Sequence, residues 1–159
     1  MTIFFYKVCD PYGCFSNFSP HSIVLGGYLW PTAEHYYQAQ KFVGTRLEGL
    51  MHTIRIAPSP EMAAAIGRDP KYGLRSDWDQ VKTAVMYEVV STKFRTYADL
   101  RTLLLNTGTE WIVEKSPTDA FWGCGADGKG QNQLGQILMR IRAELERNGA
   151  TLTGDRQCK

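Results

Sequence analysis

The chain has little cysteine, no excess of either charge and no long apolar run, and each shortage removes a class of protein. Its four cysteines, Cys9, Cys14, Cys124 and Cys158, form no CxxC pair and stand at no Cys/His ligand spacing. Neither a disulfide framework nor a zinc site is read from them. Thiols of this kind suit a reducing compartment, and the cytoplasm is the simplest reading. No stretch approaches the ~20 apolar residues that a membrane helix needs. The opening Met-Thr-Ile-Phe-Phe-Tyr-Lys-Val has no charged segment followed by an apolar one, so it is not read as a secretory signal. A net charge of +2 is too small for a dedicated nucleic-acid binder, yet it leaves room for a local basic pocket. The three histidines, His21, His35 and His52, have no metal spacing, so neither metal nor cofactor is expected. Internal repeats, linkers and low-complexity tracts are missing too.

What remains is an ordinary globular balance, 43% apolar and 21% charged. A chain of this length buries roughly 70% of its unfolded surface and needs no staple. Residues 2–8 read as a strand, and 21–30, with Gly26-Gly27 in the middle, as a hairpin. Thr32 then caps a first helix that runs to about Val43, with Glu34 in its first turn. A second helix covers 46–56, and Ser59-Pro60-Glu61 opens a short third one. Ser76 and Asp79 resemble a capping box ahead of Trp78, Val81, Val85 and Val89, so 77–95 is expected to be the longest helix. Residues 98–106 make another helix and 110–115 a late strand. A glycine-rich loop fills 123–131. The last helix, 132–147, is capped by Asn132 and turns Leu134, Ile137, Leu138, Ile141 and Leu145 inward. Early strands, one late return and helices between them predict a predominantly helical α+β fold with a small sheet, not alternating βαβ units. One compact domain is expected over 1–148, and a frayed polar tail over 149–159.

Three places carry polar residues suited to chemistry. On the first helix Glu34, Gln38 and Lys41 stand at i, i+4 and i+7, so one face presents a carboxylate and an amine. Glu34 can stabilise positive charge on a ribose ring or position a water. Lys41 can hold a phosphate, or attack an opened ribose as a Schiff-base nucleophile if burial lowers its pKa. Spacing alone favours the plainer alternative, a solvated face with the aromatics packed inward. In Arg75-Ser76-Asp77-Trp78 the tryptophan can stack on a base and the arginine can pair with phosphate, although periodicity favours Trp78 as core. Arg68 and Lys71 can join a basic rim. The third place is 119–130, where Asp119 and Trp122 precede Gly123, Gly125, Gly128 and Gly130. So many glycines imply a backbone whose shape matters, and such loops can present amides to a phosphate. Gly123-x-Gly125-x-x-Gly128 imitates a dinucleotide fingerprint, but no crossover strand can follow it.

Taken together, Phe15-Ser16-Asn17-Phe18, Trp30-Pro31-Thr32-x-Glu34-His35-Tyr36-x-Gln38-Ala39-x-Lys41-Phe42, Arg75-x-x-Trp78 with Lys82 and Met86, Lys93-Phe94, and Asp119-x-x-Trp122-Gly123 running into Gly128-x-Gly130-x-Asn132-x-Leu134-Gly135 resemble the NADAR family of YbiA-like N-glycosidases. The resemblance implies a compact helix-rich domain that hydrolyses a ribose N-glycosidic bond. It implies Glu34, Trp78, Asp119 and Trp122 as active-site residues and Lys41 as the lysine suspected of covalent attack. Asn17, Arg75 and the 123–130 loop would hold ribose and phosphate. The implied substrates are a small ribose phosphate, the phosphoribosylamino-pyrimidine early in riboflavin synthesis, or ADP-ribose on guanine in nucleic acid, which would make ADP-ribosylated DNA a partner. No membrane and no obligate protein partner are expected. A non-catalytic module binding ADP-ribose or NAD is the rival reading. It would not need Glu34 and Lys41 on one helix face.

Overall fold

The computed structural model describes the backbone of residues 1–154 and the side chains of residues 1–149. The chain forms two units, one made of residues 7–96 and the other of residues 1–6 with those from 97 onward.

Strand β1 (Thr2–Phe5) belongs to the other unit; in the first unit a hairpin pairs β2 (Ile23–Leu25) with β3 (Tyr28–Trp30). Gly26 and Gly27 join them with φ of 60° and 80°, the two positive values that a type I′ connection demands. Helix α1 (Ala33–Gln40) starts where Thr32 accepts the His35 amide at 3.3 Å, as its cap position predicts. The α-helix ends three residues before Val43, and tighter turns carry the chain to Gly44, whose φ is 70°. α2 is only Leu50–Arg55, shorter than expected because turns occupy residues 45–49. α3 (Pro60–Gly67) has Ser59 as cap and proline in its first turn. α4 (Trp78–Thr96) begins one residue late: the Asp77 carbonyl accepts from Gln80 and Val81, so Asp77 opens it in place of Ser76. α1 packs against α2, α3, α4 and β3. Surrounded in this way, it buries Glu34, His35 and Gln38 together with its aromatics.

In the second unit β1 pairs in parallel with β4 (Trp111–Glu114), so the sheet content among the described residues is two separate two-stranded ladders. α5 (Ala98–Asn106) and α6 (Gln133–Gly154) pack on each other, and α6 also lies on β4. Leu104, Ile112, Leu134, Leu138 and Ile141 are almost wholly buried. Asn132 does not cap α6 with its side chain. At φ 50° it turns toward β4, donating to the Ile112 carbonyl at 2.9 Å and accepting the Glu114 amide at 3.0 Å. It thus completes the strand's hydrogen bonding where no neighbouring strand does. Gly135 permits the close approach: a Cβ there would collide with the Ile112 carbonyl and the Asn132 amide. α6 has 22 residues and α4 has 19, so α4 is not the longest helix. Gly149 is tolerated inside α6, since one glycine weakens a helix by only about 1 kcal/mol and no proline follows to stop it. Of the expected tail, residues 155–159, Cys158 included, lie outside the described residues.

Candidate active site

The α1 face is buried, which overturns the plainer reading of solvated charges. Glu34 is 4% exposed, Gln38 1% and Lys41 8%. Gln38 Nε2 donates to Glu34 Oε1 at 2.7 Å. Arg68, from the end of α3, brings its guanidinium within 3.7 Å of the same oxygen, but its side chain is largely exposed and the pair is correspondingly screened. Lys41 Nζ donates to the Gly67 carbonyl at 3.2 Å and lies 5.7 and 5.9 Å from the ring centres of Tyr37 and Trp78.

Burial lowers the Lys41 ammonium to about 8. Glu34 opposes this shift by attraction, and Arg68 and Lys82 add to it by repulsion. At pH 7 about a tenth of such an amine is unprotonated, roughly 300-fold more than for an ordinary lysine. His35 is no ligand or base: its ring nitrogens are held by Thr32 Oγ1 at 2.8 Å and the Ala57 carbonyl at 3.0 Å, and burial lowers its pKa.

Two further segments reach this helix. The Asn17 carbonyl accepts the Glu34 amide at 3.1 Å. The Asn17 side chain donates to Met86 Sδ at 3.1 Å, and its Oδ1 is buried with no hydrogen-bond partner among the described residues. Trp78 is a core residue, 7% exposed, as periodicity favoured, and its ring lies beside Lys41 and 5.2 Å from that of Tyr37. The Arg75 guanidinium is engaged by Asp77 at 2.6 and 2.9 Å, while its amide donates to the Lys41 carbonyl.

Lys93 is the residue whose weight sequence reasoning missed. It is 1% exposed, and its Nζ donates to the Cys14 carbonyl at 2.6 Å, the Ser16 carbonyl at 2.9 Å and Ser19 Oγ at 2.6 Å. All three donors of the ammonium are used to tie down the loop that carries Asn17. Burial pushes this amine down to about 7. The available signal was a lysine set among Val89, Val90 and Phe94 on the inward face of α4.

The second unit holds the other expected residues. Asp119 Oδ1 accepts the amides of Phe121 and Trp122 at 2.9 and 2.8 Å, which shapes the turn on which Trp122 sits. The Trp122 ring packs edge-on against Phe121. In the glycine-rich loop the amides of Cys124, Gly128, Gly130, Gln131, Asn132, Gln133 and Leu134 already bond to carbonyls. Gly123 and Gly130 answer to packing: a Cβ on the first would lie 2.7 Å from the Glu114 carbonyl oxygen, and on the second 2.5 Å from that of Gly123. A cavity of about 280 Å³ lies elsewhere, lined by Tyr28, Trp30, Glu48, Met51, His52 and Arg55, and contains none of the expected site residues.

The helix-rich α+β scaffold agrees with the relatives of this chain. It belongs to the NADAR family, whose domain matches residues 4–146. It is 57% identical to N-glycosidase Npun_R5314 of Nostoc punctiforme, covering 97% of this chain and 98% of that one. N-glycosidase YbiA of Escherichia coli is 46% identical over 89% of this chain and 86% of its own. The NMR structure of YbiA matches with a TM-score of 0.85 and 44% identity, covering 94% and 89% of the two chains. The chloroplastic riboflavin biosynthesis protein PYRR of Zea mays is 48% identical across 90% of this chain, which spans 25% of that longer protein. The chain is a hydrolase acting on N-glycosyl bonds. Among the described residues no helix is long and apolar enough to cross a membrane.

Proposed function

We propose that the chain hydrolyses the ribose–nitrogen bond of a phosphoribosylamino-pyrimidine, an intermediate of riboflavin synthesis. The observation that carries this reading is the buried Glu34–Lys41 pair, in which the amine is lowered to about 8. The name of the maize relative supports the substrate class. Breaking C1′–N leaves positive charge on the sugar, which the Glu34 carboxylate stabilises while it orients a water toward C1′. The leaving nitrogen takes a proton, and ribose phosphate departs with the hydroxyl. An open-chain route uses Lys41: its neutral amine adds to C1′, the pyrimidine amine leaves, and water then releases the sugar from the lysine Schiff base. Trp78 serves as a flat wall for the base and Asn17 as a contact for the ribose. For Asp119, Trp122 and the glycine loop the support is the family pattern, and for Arg75 it is that pattern against the pairing with Asp77.

The test is base release from the phosphoribosylamino-pyrimidine and from ADP-ribosyl-guanosine, by the parent and by Glu34→Gln. The first substrate should turn over, and the variant should lose at least about 10²-fold in kcat while still binding. Turnover of the second alone would move the reading to removal of ADP-ribose from nucleic acid. Binding without release of either would leave a ligand-binding module. If binding falls in step with activity in Glu34→Gln, the catalytic assignment of Glu34 is wrong. Borohydride in the presence of substrate should add a sugar phosphate mass to the parent if the lysine route operates, and none if water attacks directly.

A further inference from the structure

Gly67 is the last residue of α3, and its backbone is ordinary helix, so no unusual φ calls for glycine there. Space does. A Cβ at this position would lie 2.8 Å from Gln38 Cδ and 2.9 Å from Gln38 Cβ, and would strike Oε1. Gln38 fills the slot from α1, with Nε2 on Glu34 Oε1 and with Oε1 buried and without a hydrogen-bond partner among the described residues. An amide left with an orphaned buried oxygen is held for the sake of its donor. Turned over, the amide oxygen would face Glu34 Oε1, acceptor against acceptor, so the bond to Oε1 fixes the orientation seen. The carbonyl of Gly67 meanwhile accepts from Lys41 Nζ.

We propose that Gln38, seated in the slot that Gly67 leaves open, is the positioning residue for Glu34. Gly67 sets both members of the reacting pair, Glu34 through the Cβ that it lacks and Lys41 through its carbonyl. The proposal rests on the N-glycosidase reading of this site. Neither Gln38 nor Gly67 meets substrate in it. Both act through the geometry of their neighbours, where a displacement of about 1 Å can lower a rate by about 10²-fold.

The experiment is a double-mutant cycle on the whole chain, with kcat, KM and melting temperature measured for Gln38→Ala, Gly67→Ala and the pair. Gln38→Ala should lower kcat by about 10–10²-fold with KM within about threefold, since the carboxylate loses its support and the substrate contacts remain. Gly67→Ala should reproduce this loss by evicting Gln38. In the double variant the amide is gone, and of the collision only the 2.9 Å approach to the Cβ of residue 38 remains, so the losses should not multiply. Its melting temperature should exceed that of Gly67→Ala, where Cδ and Oε1 of Gln38 are struck as well. Should Gly67→Ala fail to fold, Gln38→Ala and the double variant, relieved of the larger part of the collision, still give the comparison. Parental kcat in Gln38→Ala, losses that multiply, or a loss confined to KM would each overturn the positioning role. A parent that releases base from neither substrate would instead remove the reading on which the proposal rests.

Discussion

Replacing Lys41 by methionine should abolish turnover and, at neutral pH, make the protein more stable. The gap between about 8 in the fold and the ordinary 10.5 corresponds to about 3 kcal/mol spent on keeping this ammonium buried at pH 7. Methionine fills much of the same space between Tyr37 and Trp78 but loses the bond to the Gly67 carbonyl, worth about 1 kcal/mol. Local relaxation reduces the gain further, and a net stabilisation of about 1–2 kcal/mol is expected. The sign with pH follows from proton counting. Between pH 8 and 10.5 the unfolded chain keeps a lysine proton that the folded chain has released, so parental stability rises with pH in that window. The variant loses the Lys41 share of this rise and keeps the share of Lys93, whose amine is lowered to about 7. Its advantage should be largest below pH 8 and fade toward 10.5. Denaturant unfolding of both proteins at pH 7 and pH 10, with base release assayed on the same preparations, measures each part. A variant less stable than the parent at pH 7, or a gap that survives unchanged at pH 10, would refute the account of the burial. A stabilised variant that remained fully active would remove Lys41 from the chemistry.

Lys93→Met should act in the opposite sense. It removes three hydrogen bonds from a charged donor, about 1.5–3 kcal/mol each, only partly offset by relief of the buried charge, so a net loss of about 2 kcal/mol should appear as a melting point lower by several degrees. Unchanged melting would mean that the loop at residues 14–19 is held by other groups. Asp119→Asn keeps an Oδ1 to accept the Phe121 and Trp122 amides, so its melting should stay within a degree or two of the parent. If the carboxylate takes part in catalysis, kcat should fall by about 10²-fold. Parental kcat would confine Asp119 to shaping the turn.

The parts of the fold legible in the sequence are those set by local rules. Thr32 and Ser59 cap helices where a side-chain oxygen stands ahead of helix formers, and Gly26-Gly27 turns a hairpin because two positive φ values are needed there. The boundaries that moved depend on tertiary neighbours. Asn132 occupies a cap position but spends its side chain on β4, an unpaired strand edge that no sequence window shows. The same distinction holds at the site. Periodicity put Glu34, Gln38 and Lys41 on one face, yet it could not say that α2, α3 and α4 enclose that face on every side. Once enclosed, polar residues that spacing assigned to solvent become a desolvated pair, and the resemblance to a family supplied what spacing lacked. Gly67 was beyond both, and Lys93, although Lys93-Phe94 stands in the family pattern, had no role assigned, since each matters through a contact with a residue distant in sequence, Gln38 and the loop at 14–19.

The glycine-rich loop gives the sharpest separation between packing and binding. Its glycines were expected to offer amides to phosphate, but the amides of Cys124, Gly128 and residues 130–134 are committed to carbonyls and that of Lys129 to Asp127. Any phosphate contact through loop amides beyond Cys124 therefore falls to the tip at 125–127, whose turn Gly128 closes. Gly130→Ala would press a Cβ against the backbone of Gly123, Cys124 and Ala120 at 2.5–2.8 Å, with no flexible side chain to yield. It should destabilise by more than about 3 kcal/mol whatever the loop binds. At Gly128, φ is 74° and nothing stands within 4 Å of a Cβ, so alanine strains only the backbone, by about 1–2 kcal/mol. If the tip holds the phosphate, Gly128→Ala should raise KM for the phosphorylated substrate several-fold while kcat stays near the parental value. It should leave the binding of the unphosphorylated nucleoside unchanged. An unaltered KM in a folded Gly128→Ala would mean that the loop tip takes no part in holding the phosphate and that these glycines serve packing alone.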